Sequence, residues 1–311
     1  MNKQKTNEKI IVGGAMLLLT LTACSPNSVH SVTSNPQPAS APVQQSATQA
    51  TFQQTLANLE QQYQARIGVY VWDTETGHSL SYRADERFAY ASTFKALLAG
   101  AVLQSLPEKD LNRTISYSQK DLVSYSPETQ KYVGKGMTIA QLCEAAVRFS
   151  DNSATNLLLK ELGGVEQYQR ILRQLGDNVT HANRLEPDLN QAKPNDIRDT
   201  STPKQMAMNL NAYLLGNTLT ESQKTILWNW LDNNATGNPL IRAATPTSWK
   251  VYDKSGAGKY GVRNDIAVVR IPNRKPIVMA IMSTQFTEEA KFNNKLVEDA
   301  AKQVFHTLQL N

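Results

Sequence analysis

Two kinds of hydrophobic periodicity divide the sequence after residue 50. Apolar and polar residues alternate from Arg66 to Trp72 and again from Leu80 to Phe88, which predicts a β-hairpin. Three more strand patterns close the chain, at 251–260, 262–271 and 277–284. Helical spacing dominates the stretch from about 110 to 245. Strands at both ends and helices between them restrict the chain to a sheet into which a helical unit is inserted.

The predicted fold class is therefore α/β, in the form of an α+β sandwich. We expect a five-stranded antiparallel sheet flanked by two terminal helices, one opening at Thr51 and one running from Thr287 to Leu310. The domain spans 51–311, with a sheet part at about 51–88 and 246–311 and an all-α part at about 89–245. A chain of 311 residues with 41% hydrophobic content is large enough to fill such a core.

The first 23 residues have the composition of a secretory signal peptide. Lys3, Lys5 and Lys9 precede an apolar run from Ile10 to Ala23, which is too short to span a bilayer. The run ends Leu-Thr-Ala-Cys24, which resembles the lipobox of bacterial lipoproteins, where cleavage exposes the cysteine for attachment of a diacylglyceryl group. An ordinary cleavage site with an incidental cysteine is the alternative.

Residues 24–50 are expected to be the lipidated cysteine followed by a flexible linker. From Ser25 to Ala50 the side chains are mostly Ser, Pro, Gln, Thr and Ala, with no Asp, Glu, Lys or Arg and few large apolar residues, so the segment can bury little apolar surface. These features predict an exported lipoprotein, held at a membrane on its extracytoplasmic side by Cys24.

Charge and composition exclude several other classes of protein. The formal charge is +5, and loss of the first 23 residues leaves +3 without a basic cluster, so nucleic acid is not an expected partner. With Cys24 lipidated, Cys143 has no disulfide partner. The four histidines lie far apart, which argues against a zinc hydrolase, and no cofactor is implied. A monomer is the default expectation.

A candidate nucleophile stands at the start of a helix that is apolar on all sides. Ser92-Thr93-Phe94-Lys95 places a hydroxyl and an amine three residues apart, hence on one helix face. A second match, Ser201-Thr202-Pro203-Lys204, is better interpreted as a helix start. Ser92 is favoured because Lys95 would be buried in that helix only if polar partners satisfied its amine.

Two further motifs follow in a defined order. Ser150-Asp151-Asn152 stands at a helix start, where Ser150 or Asp151 alone would be interpreted as a cap, and Lys254-Ser255-Gly256 lies on the first late strand. The sequence from 51 to 311 thereby resembles the class A β-lactamases and the penicillin-binding proteins, whose signature comprises these three motifs.

A long irregular segment, 178–203, distinguishes between these two families. Its Arg184-Leu-Glu186-Pro-Asp-Leu-Asn190 is similar to the E-x-x-L-N of class A β-lactamases, which penicillin-binding proteins lack. The resemblance implies that Glu186 is the general base for hydrolysis of an ester on Ser92, with Asn190 on the other side of the water. It also implies an ion pair between Arg184 and Asp199. A solvated loop carboxylate is the alternative for Glu186.

The resemblance assigns the remaining catalytic roles as well. Lys95 or Glu186 takes the serine proton, and the sequence leaves that choice open. Ser150 relays a proton to the leaving nitrogen and Lys254 keeps its surroundings electropositive. The backbone N–H groups of Ser92 and Ala257 form the oxyanion hole.

The same resemblance predicts how a penicillin-type substrate is held. Its carboxylate would meet Lys254, Ser255 and Arg263, for which an ion pair with Asp265 or another carboxylate is the alternative. Asn152 would contact the acylamide, Tyr125 would form an aromatic wall where composition alone suggests a loop anchor, and Asn156 would fix the Glu186 loop. The predicted substrate-binding set is Tyr125, Asn152, Asn190, Ser255, Gly256, Ala257 and Arg263.

Departures from the family pattern refine the expected substrates. The strand motif reads K-S-G where K-T-G is commoner, which keeps the hydroxyl. Ala99 stands where disulfide-bonded members pair with the Cys143 position, and Ala91 and Gly258 stand where many carbapenem-hydrolysing members carry cysteines. We expect a penicillinase with some cephalosporin activity. The alternatives are a D-Ala-D-Ala carboxypeptidase, a non-hydrolysing β-lactam sensor and a solute-binding lipoprotein.

Overall fold

The computed structural model describes residues 41–232 and 234–310, without the side chains of 41–46. The predicted lipidation site at Cys24 and most of the predicted linker lie outside these residues. The helices are α1 Ala41–Tyr63, α2 Phe94–Ser105, α3 Ile139–Arg148, α4 Asn152–Glu161, α5 Val165–Gln174, α6 Pro203–Leu214, α7 Glu221–Asp232 and α8 Asn294–Thr307. The strands are β1 Arg66–Asp73, β2 Ser79–Tyr82, β3 Phe88–Ala89, β4 Thr114–Ile115, β5 Met137–Thr138, β6 Thr200–Ser201, β7 Lys250–Ala257, β8 Arg263–Arg270 and β9 Ile277–Thr284.

The main sheet has five strands in the order β2-β1-β9-β8-β7, all antiparallel. This confirms the predicted fold class, since β1 pairs with β9 and so joins the first two strands of the chain to the last three in one sheet. Short strands form two further pairs, β3 with β6 and β4 with β5. Both faces of β8 and β9 are buried over most of their length, which is why apolar residues are continuous in 266–269 of β8 and in 277–282 of β9.

Two hydrophobic cores lie on opposite sides of the main sheet. One is made by α1 and α8 against the sheet and includes Phe52, Leu56, Val297 and Phe305. The other surrounds α2, in which every residue from Phe94 to Leu103 is buried. The apolar residues on every side of α2 predicted that this helix would be buried all round, and the structure confirms it. It places the Ser92 segment at the junction of the sheet and the helices.

Helix α1 begins earlier than predicted, so the expected flexible linker to Ala50 is wrong for its last ten residues, 41–50. The Ala- and Gln-rich composition of this stretch favours helix. Gln49 also bonds to strand β2, donating to Ser81 O at 2.6 Å and accepting from Ser81 N at 3.2 Å.

The predicted second hairpin strand, 80–88, is divided in the structure. Strand β2 ends at Tyr82 because Arg83 adopts a left-handed backbone conformation with φ of +46°. Its guanidinium pairs with Glu60 and Glu86. Phe88 belongs to β3 and pairs with Ser201 of β6. Helix α8 likewise begins at Asn294, later than the predicted Thr287, where the Asn293 side chain caps it.

The second Ser-x-x-Lys match is a helix start, as predicted. Thr202 caps α6 through its side chain and Pro203 occupies the first turn. Lys204 is exposed and lies 3.5 Å from Asp85. Ser92 therefore remains the candidate nucleophile.

Candidate active site

Ser92 lies in a 3₁₀ turn, Ala91–Thr93, that leads directly into α2. The preceding Ala91 has φ of +46°, a conformation that costs a non-glycine residue about 1–3 kcal/mol and that tends to occur at functional sites. The turn is fixed by Asn264, whose amide donates to Tyr90 O at 3.1 Å. The half-buried serine thus sits at the positive end of a helix.

Strand β7 approaches this turn closely at Gly256. A Cβ atom at that position would lie 3.0 Å from Tyr90 O and 3.1 Å from Ser92 N, so a larger residue would fit only if the strand or the turn shifted by a few tenths of an ångström. The approach brings the strand carrying Ala257 against the backbone of Ser92. The two predicted oxyanion-hole residues are therefore neighbours in space.

Lys95 is fully buried and its amine has three polar partners, as its place in an apolar helix required. Nζ lies 2.9 Å from Glu186 Oε1, 2.5 Å from Asn152 Oδ1 and 2.8 Å from Ser150 O. Burial lowers the pKa of Lys95, and the Glu186 carboxylate opposes that shift. One amine thereby joins three of the predicted motifs.

Glu186 lies inside the protein with 3% of its surface exposed, which contradicts the alternative of a solvated loop carboxylate. Asn156 holds its backbone from both sides, accepting from Glu186 N and donating to Glu186 O, each at 2.9 Å. The Asn190 amide nitrogen donates to Glu186 Oε2 at 2.5 Å. The buried Asn190 Oδ1 has no donor within the described part of the chain, which leaves an acceptor beside the carboxylate.

The segment that carries Glu186 is tied down by Asp199. Arg184 Nε donates to Asp199 Oδ2 at 2.5 Å, so the ion pair implied by the family resemblance is present. The other oxygen, Oδ1, accepts from the backbone N–H groups of Asn183 and Arg184 and from the Tyr90 hydroxyl at 3.1 Å. Because Tyr90 is two residues before Ser92, one buried carboxylate links the Glu186 segment to the nucleophile turn.

Ser150 and Lys254 meet on the other side of the site. Ser150 has φ of +59°, and Lys254 Nζ donates to its hydroxyl at 3.3 Å and to Ser255 O at 2.9 Å. Burial, reinforced by the charge of Lys95, lowers the pKa of Lys254 to about 7. Asp151 serves as the α4 cap, accepting from Ala154 N at 2.8 Å.

Arg263 has no carboxylate partner among the described residues, so the alternative of an ion pair with Asp265 is wrong. Nε donates to Asn294 Oδ1 at 2.7 Å and Nη2 donates to Thr236 O at 3.3 Å. The Phe292 ring lies under the guanidinium, 4.9 Å from its centre. Burial lowers the pKa of Arg263. An arginine held by neutral groups keeps its charge available to an anion.

Tyr125 forms part of the rim. Its side chain is 60% exposed and its φ is +62°, so it is not the buried loop anchor that composition alone suggested. Its carbonyl accepts from Asn152 N at 3.0 Å, and the Asn152 amide donates to Ser124 O at 2.8 Å. The backbone that carries the aromatic ring is therefore held directly by Asn152.

Four residues of this site were not found from the sequence: Tyr90, Thr236, Asn264 and Asn294. Each is a neutral side chain outside the motifs that bonds to a predicted site residue or to the backbone just before Ser92. Only Tyr90, two positions before Ser92, carried a local signal, since a polar tip on a buried aromatic requires a partner.

The described residues contain no group of three or more His, Cys, Asp or Glu side chains that could hold a metal ion. Cys143 is a free, buried thiol whose pKa is raised by burial. No helix in 41–232 or 234–310 is long and apolar enough to cross a membrane.

These contacts define an enzyme that works by covalent catalysis on a serine. A serine at a helix start, a buried lysine beside it and a buried carboxylate fixed nearby are the groups needed to form and hydrolyse an acyl-enzyme. Comparison with known proteins agrees. The model of the beta-lactamase enzyme family matches residues 51–308.

The chain belongs to the beta-lactamase enzyme family, and its fold and motifs are those of a class A serine β-lactamase. It is 99% identical to Beta-lactamase ROB-1 of Haemophilus influenzae over 298 residues, 96% of this chain and 98% of that protein. A Beta-lactamase of Bacillus amyloliquefaciens is 51% identical over 82% of this chain and 83% of its own length. The crystal structure of a class A beta-lactamase from Clostridium kluyveri DSM 555 superposes with a TM-score of 0.83 at 51% identity, covering 84% of this chain and 99% of that one.

Proposed function

We propose that the protein hydrolyses the β-lactam ring of penicillins and some cephalosporins through an acyl-enzyme on Ser92, and thereby confers resistance to these antibiotics. The observation that carries the proposal is the buried Glu186 carboxylate, in contact with both Lys95 and Asn190. A carboxylate in that place can activate water against an ester on Ser92.

Acylation begins with attack of Ser92 Oγ on the lactam carbonyl carbon. The serine proton passes to Glu186 or to Lys95, which are in direct contact, and the backbone N–H groups of Ser92 and Ala257 stabilise the oxyanion. When the C–N bond breaks, the lactam nitrogen takes a proton from the Ser150 hydroxyl, and the proton that left Ser92 passes on to Ser150, so that Glu186 enters deacylation as a carboxylate. Lys254, which donates to that hydroxyl, favours its transient negative charge.

Deacylation needs a water between Glu186 and Asn190. Glu186 removes a proton from the water as the water oxygen attacks the ester carbon. The C–O bond to Ser92 then breaks, and Ser92 Oγ takes the proton back from Glu186. The unpartnered Asn190 Oδ1 is the acceptor that can orient such a water, because the amide nitrogen is already committed to Glu186.

Substrate recognition rests on the opposite wall of the site. Lys254, Ser255 and Arg263 bind the carboxylate of the substrate, and the Asn152 amide contacts its acylamide group. Tyr125 offers an exposed ring at the rim. With alanine at 91 and glycine at 258, we expect no broad carbapenem hydrolysis.

Steady-state hydrolysis of a chromogenic cephalosporin by the purified protein separates the candidates. The proposed enzyme turns over many equivalents, whereas a D-Ala-D-Ala carboxypeptidase or a β-lactam sensor gives a single burst and a solute-binding protein gives none. Glu186→Gln then tests the mechanism, since it keeps the side-chain volume and removes the base. We expect deacylation to slow by about 10²–10⁴-fold and the penicilloyl ester to accumulate on Ser92 in mass spectra. Fast turnover by that variant removes Glu186 from the mechanism.

The proposed location is the extracytoplasmic side of a bacterial membrane, through a lipid on Cys24. The support is the lysine-flanked apolar run and the lipobox-like Leu-Thr-Ala-Cys24. In cells, Cys24→Ser should move the protein from the membrane fraction to the soluble fraction. A wild-type protein that is already soluble contradicts the anchor.

A further inference from the structure

Thr236 contacts two of the three side chains that the proposed function assigns to the substrate carboxylate, Ser255 and Arg263. Its hydroxyl lies 2.6 Å from Ser255 Oγ, and its carbonyl accepts from Arg263 Nη2 at 3.3 Å. In a contact between two hydroxyls either oxygen can be the donor. The direction of this bond decides whether the Ser255 proton is free for a substrate.

The Asn234 side chain settles that direction. The backbone N–H of Thr236 donates to one side-chain atom of Asn234 at 3.1 Å, so that atom must be the amide oxygen, Oδ1. The amide nitrogen then faces Asp253 and donates to Asp253 Oδ2 at 2.6 Å. Arg242 donates to the second oxygen of Asp253 at 2.5 Å, so this carboxylate is an acceptor at both oxygens.

The Thr236 hydroxyl lies 2.8 Å from the same Asn234 Oδ1. An amide oxygen has no proton, so the hydroxyl must donate to it. A hydroxyl has one proton, and the remaining contact, with Ser255, must therefore be one in which Ser255 donates. The hydrogen bonds run in one direction, from Ser255 through Thr236 and Asn234 to Asp253.

We propose that Thr236 is a positioning residue that holds the Ser255 proton away from the substrate and so weakens binding of the carboxylate; this inference rests on the proposed function. A carboxylate arriving at Ser255 must rotate the hydroxyl and break its bond to Thr236. The hydroxyl of residue 236 thus sets the affinity for carboxylate-bearing substrates.

The test compares Thr236→Val, which removes the hydroxyl at nearly constant volume, with Thr236→Ser, which keeps it. Each is assayed with benzylpenicillin and with its methyl ester, whose ester carbonyl is the weaker acceptor. For benzylpenicillin we expect Thr236→Val to lower KM by about threefold to tenfold, the equivalent of one hydrogen bond, with kcat changed less than twofold. Thr236→Ser should behave as the wild type, and the ester should change less than twofold in both variants.

A KM for benzylpenicillin that is unchanged or raised in Thr236→Val overturns the inference, as does an equal change for the ester. A second variant, Thr236→Ala, should reproduce the lowered KM if valine disturbs the loop, and thermal unfolding of each variant detects such a disturbance. In a Ser255→Ala background, the effect of Thr236→Val should disappear, because no proton remains to be released. If the wild type hydrolyses neither compound, the proposed function fails. If the wild type hydrolyses benzylpenicillin and Thr236→Val leaves KM unchanged, only this inference is rejected.

Discussion

Lys95 Nζ lies 2.9 Å from Glu186 Oε1, and neither side chain has any surface in contact with solvent. Removing one member of such a pair strands a charge in a medium of low dielectric constant, whereas removing both strands none. The contact also explains why Lys95 and Glu186 are both plausible acceptors of the serine proton, since a proton placed on either group is shared at hydrogen-bond distance.

Paired variants measure how this contact affects folding. Lys95→Met leaves the Glu186 charge without its partner, and we expect the free energy of unfolding to fall by about 3–5 kcal/mol. Lys95→Met combined with Glu186→Gln leaves a neutral pair of similar volume and should be more stable than the single Lys95 variant. Urea unfolding monitored by circular dichroism gives both values. A double variant less stable than Lys95→Met contradicts this account.

Lys254 should produce an alkaline limb in the pH profile. Its pKa is lowered to about 7, chiefly by burial and then by Lys95, so the ammonium is charged below that pH and neutral above it. For a substrate bearing a carboxylate, kcat/KM should fall as the pH rises through about 7, since kcat/KM reports the free enzyme. In the pH profile of kcat, the midpoint of this loss should lie at a higher pH, because the bound anion favours the charged form of the Lys254 amine.

Lys254→Arg is the matched control for that limb, since a guanidinium stays charged across the whole range. Stopped-flow or initial-rate profiles between pH 5 and pH 9.5 suffice. A profile of the arginine variant that retains the same limb assigns it to another group.

Asp199 binds Arg184 of the segment that carries Glu186, and Tyr90 donates to the same carboxylate. Substitutions at Asp199 or Tyr90 should therefore affect deacylation, which needs Glu186 as the base, more than acylation. Tyr90→Phe removes one donor, 3.1 Å from Asp199 Oδ1, while the backbone donors and Arg184 remain. We expect a loss of stability of about 1 kcal/mol and a modest rise in the steady-state acyl-enzyme fraction.

Asp199→Asn should have a larger effect, because it leaves the guanidinium of Arg184 without its buried carboxylate. The Glu186 segment should loosen, and the penicilloyl ester should accumulate in rapid-quench mass spectra while the burst rate stays near that of the wild type. If Asp199→Asn slows the burst rate and the steady-state turnover by the same factor, Asp199 does not act specifically on deacylation.

Periodicity and motifs predicted the sheet, the central helix and most of the side chains that meet in the candidate active site, because each of these has a signal in a short contiguous stretch of sequence. Lys95 is an example: an amine in an all-apolar helix demands polar partners, and the structure supplies Glu186, Asn152 and Ser150. The ranges of β2 and α1 were less accurate, because a left-handed Arg83 and a side-chain bond from Gln49 depend on residues distant in the sequence.

The neutral residues that orient the site could not be predicted for the same reason. Thr236 is 19 residues from Ser255, and Asn294 is 31 residues from Arg263. No local pattern marks a threonine or an asparagine as the partner of a particular side chain. Charge and adjacency in the sequence favour Asp265 as the alternative partner for Arg263, but the Asp265 carboxylate accepts from Ile241 N instead.

Gly256 offers the sharpest test of the oxyanion geometry. In Gly256→Ala the new methyl group would lie 3.0 Å from Tyr90 O and 3.1 Å from Ser92 N, so β7 must retreat by a few tenths of an ångström. Such a retreat carries the N–H of Ala257 away from that of Ser92, and a donor pair works only when both point at the developing oxyanion. We expect the acylation rate to fall by about tenfold to a hundredfold. Because the methyl group also lies 3.2 Å from the Cβ atom of the buried Ala91, the midpoint of thermal unfolding should fall as well. The burst phase with a chromogenic cephalosporin measures acylation directly, and a burst as fast as that of the wild type means that the close approach of β7 to Ser92 is not needed for attack.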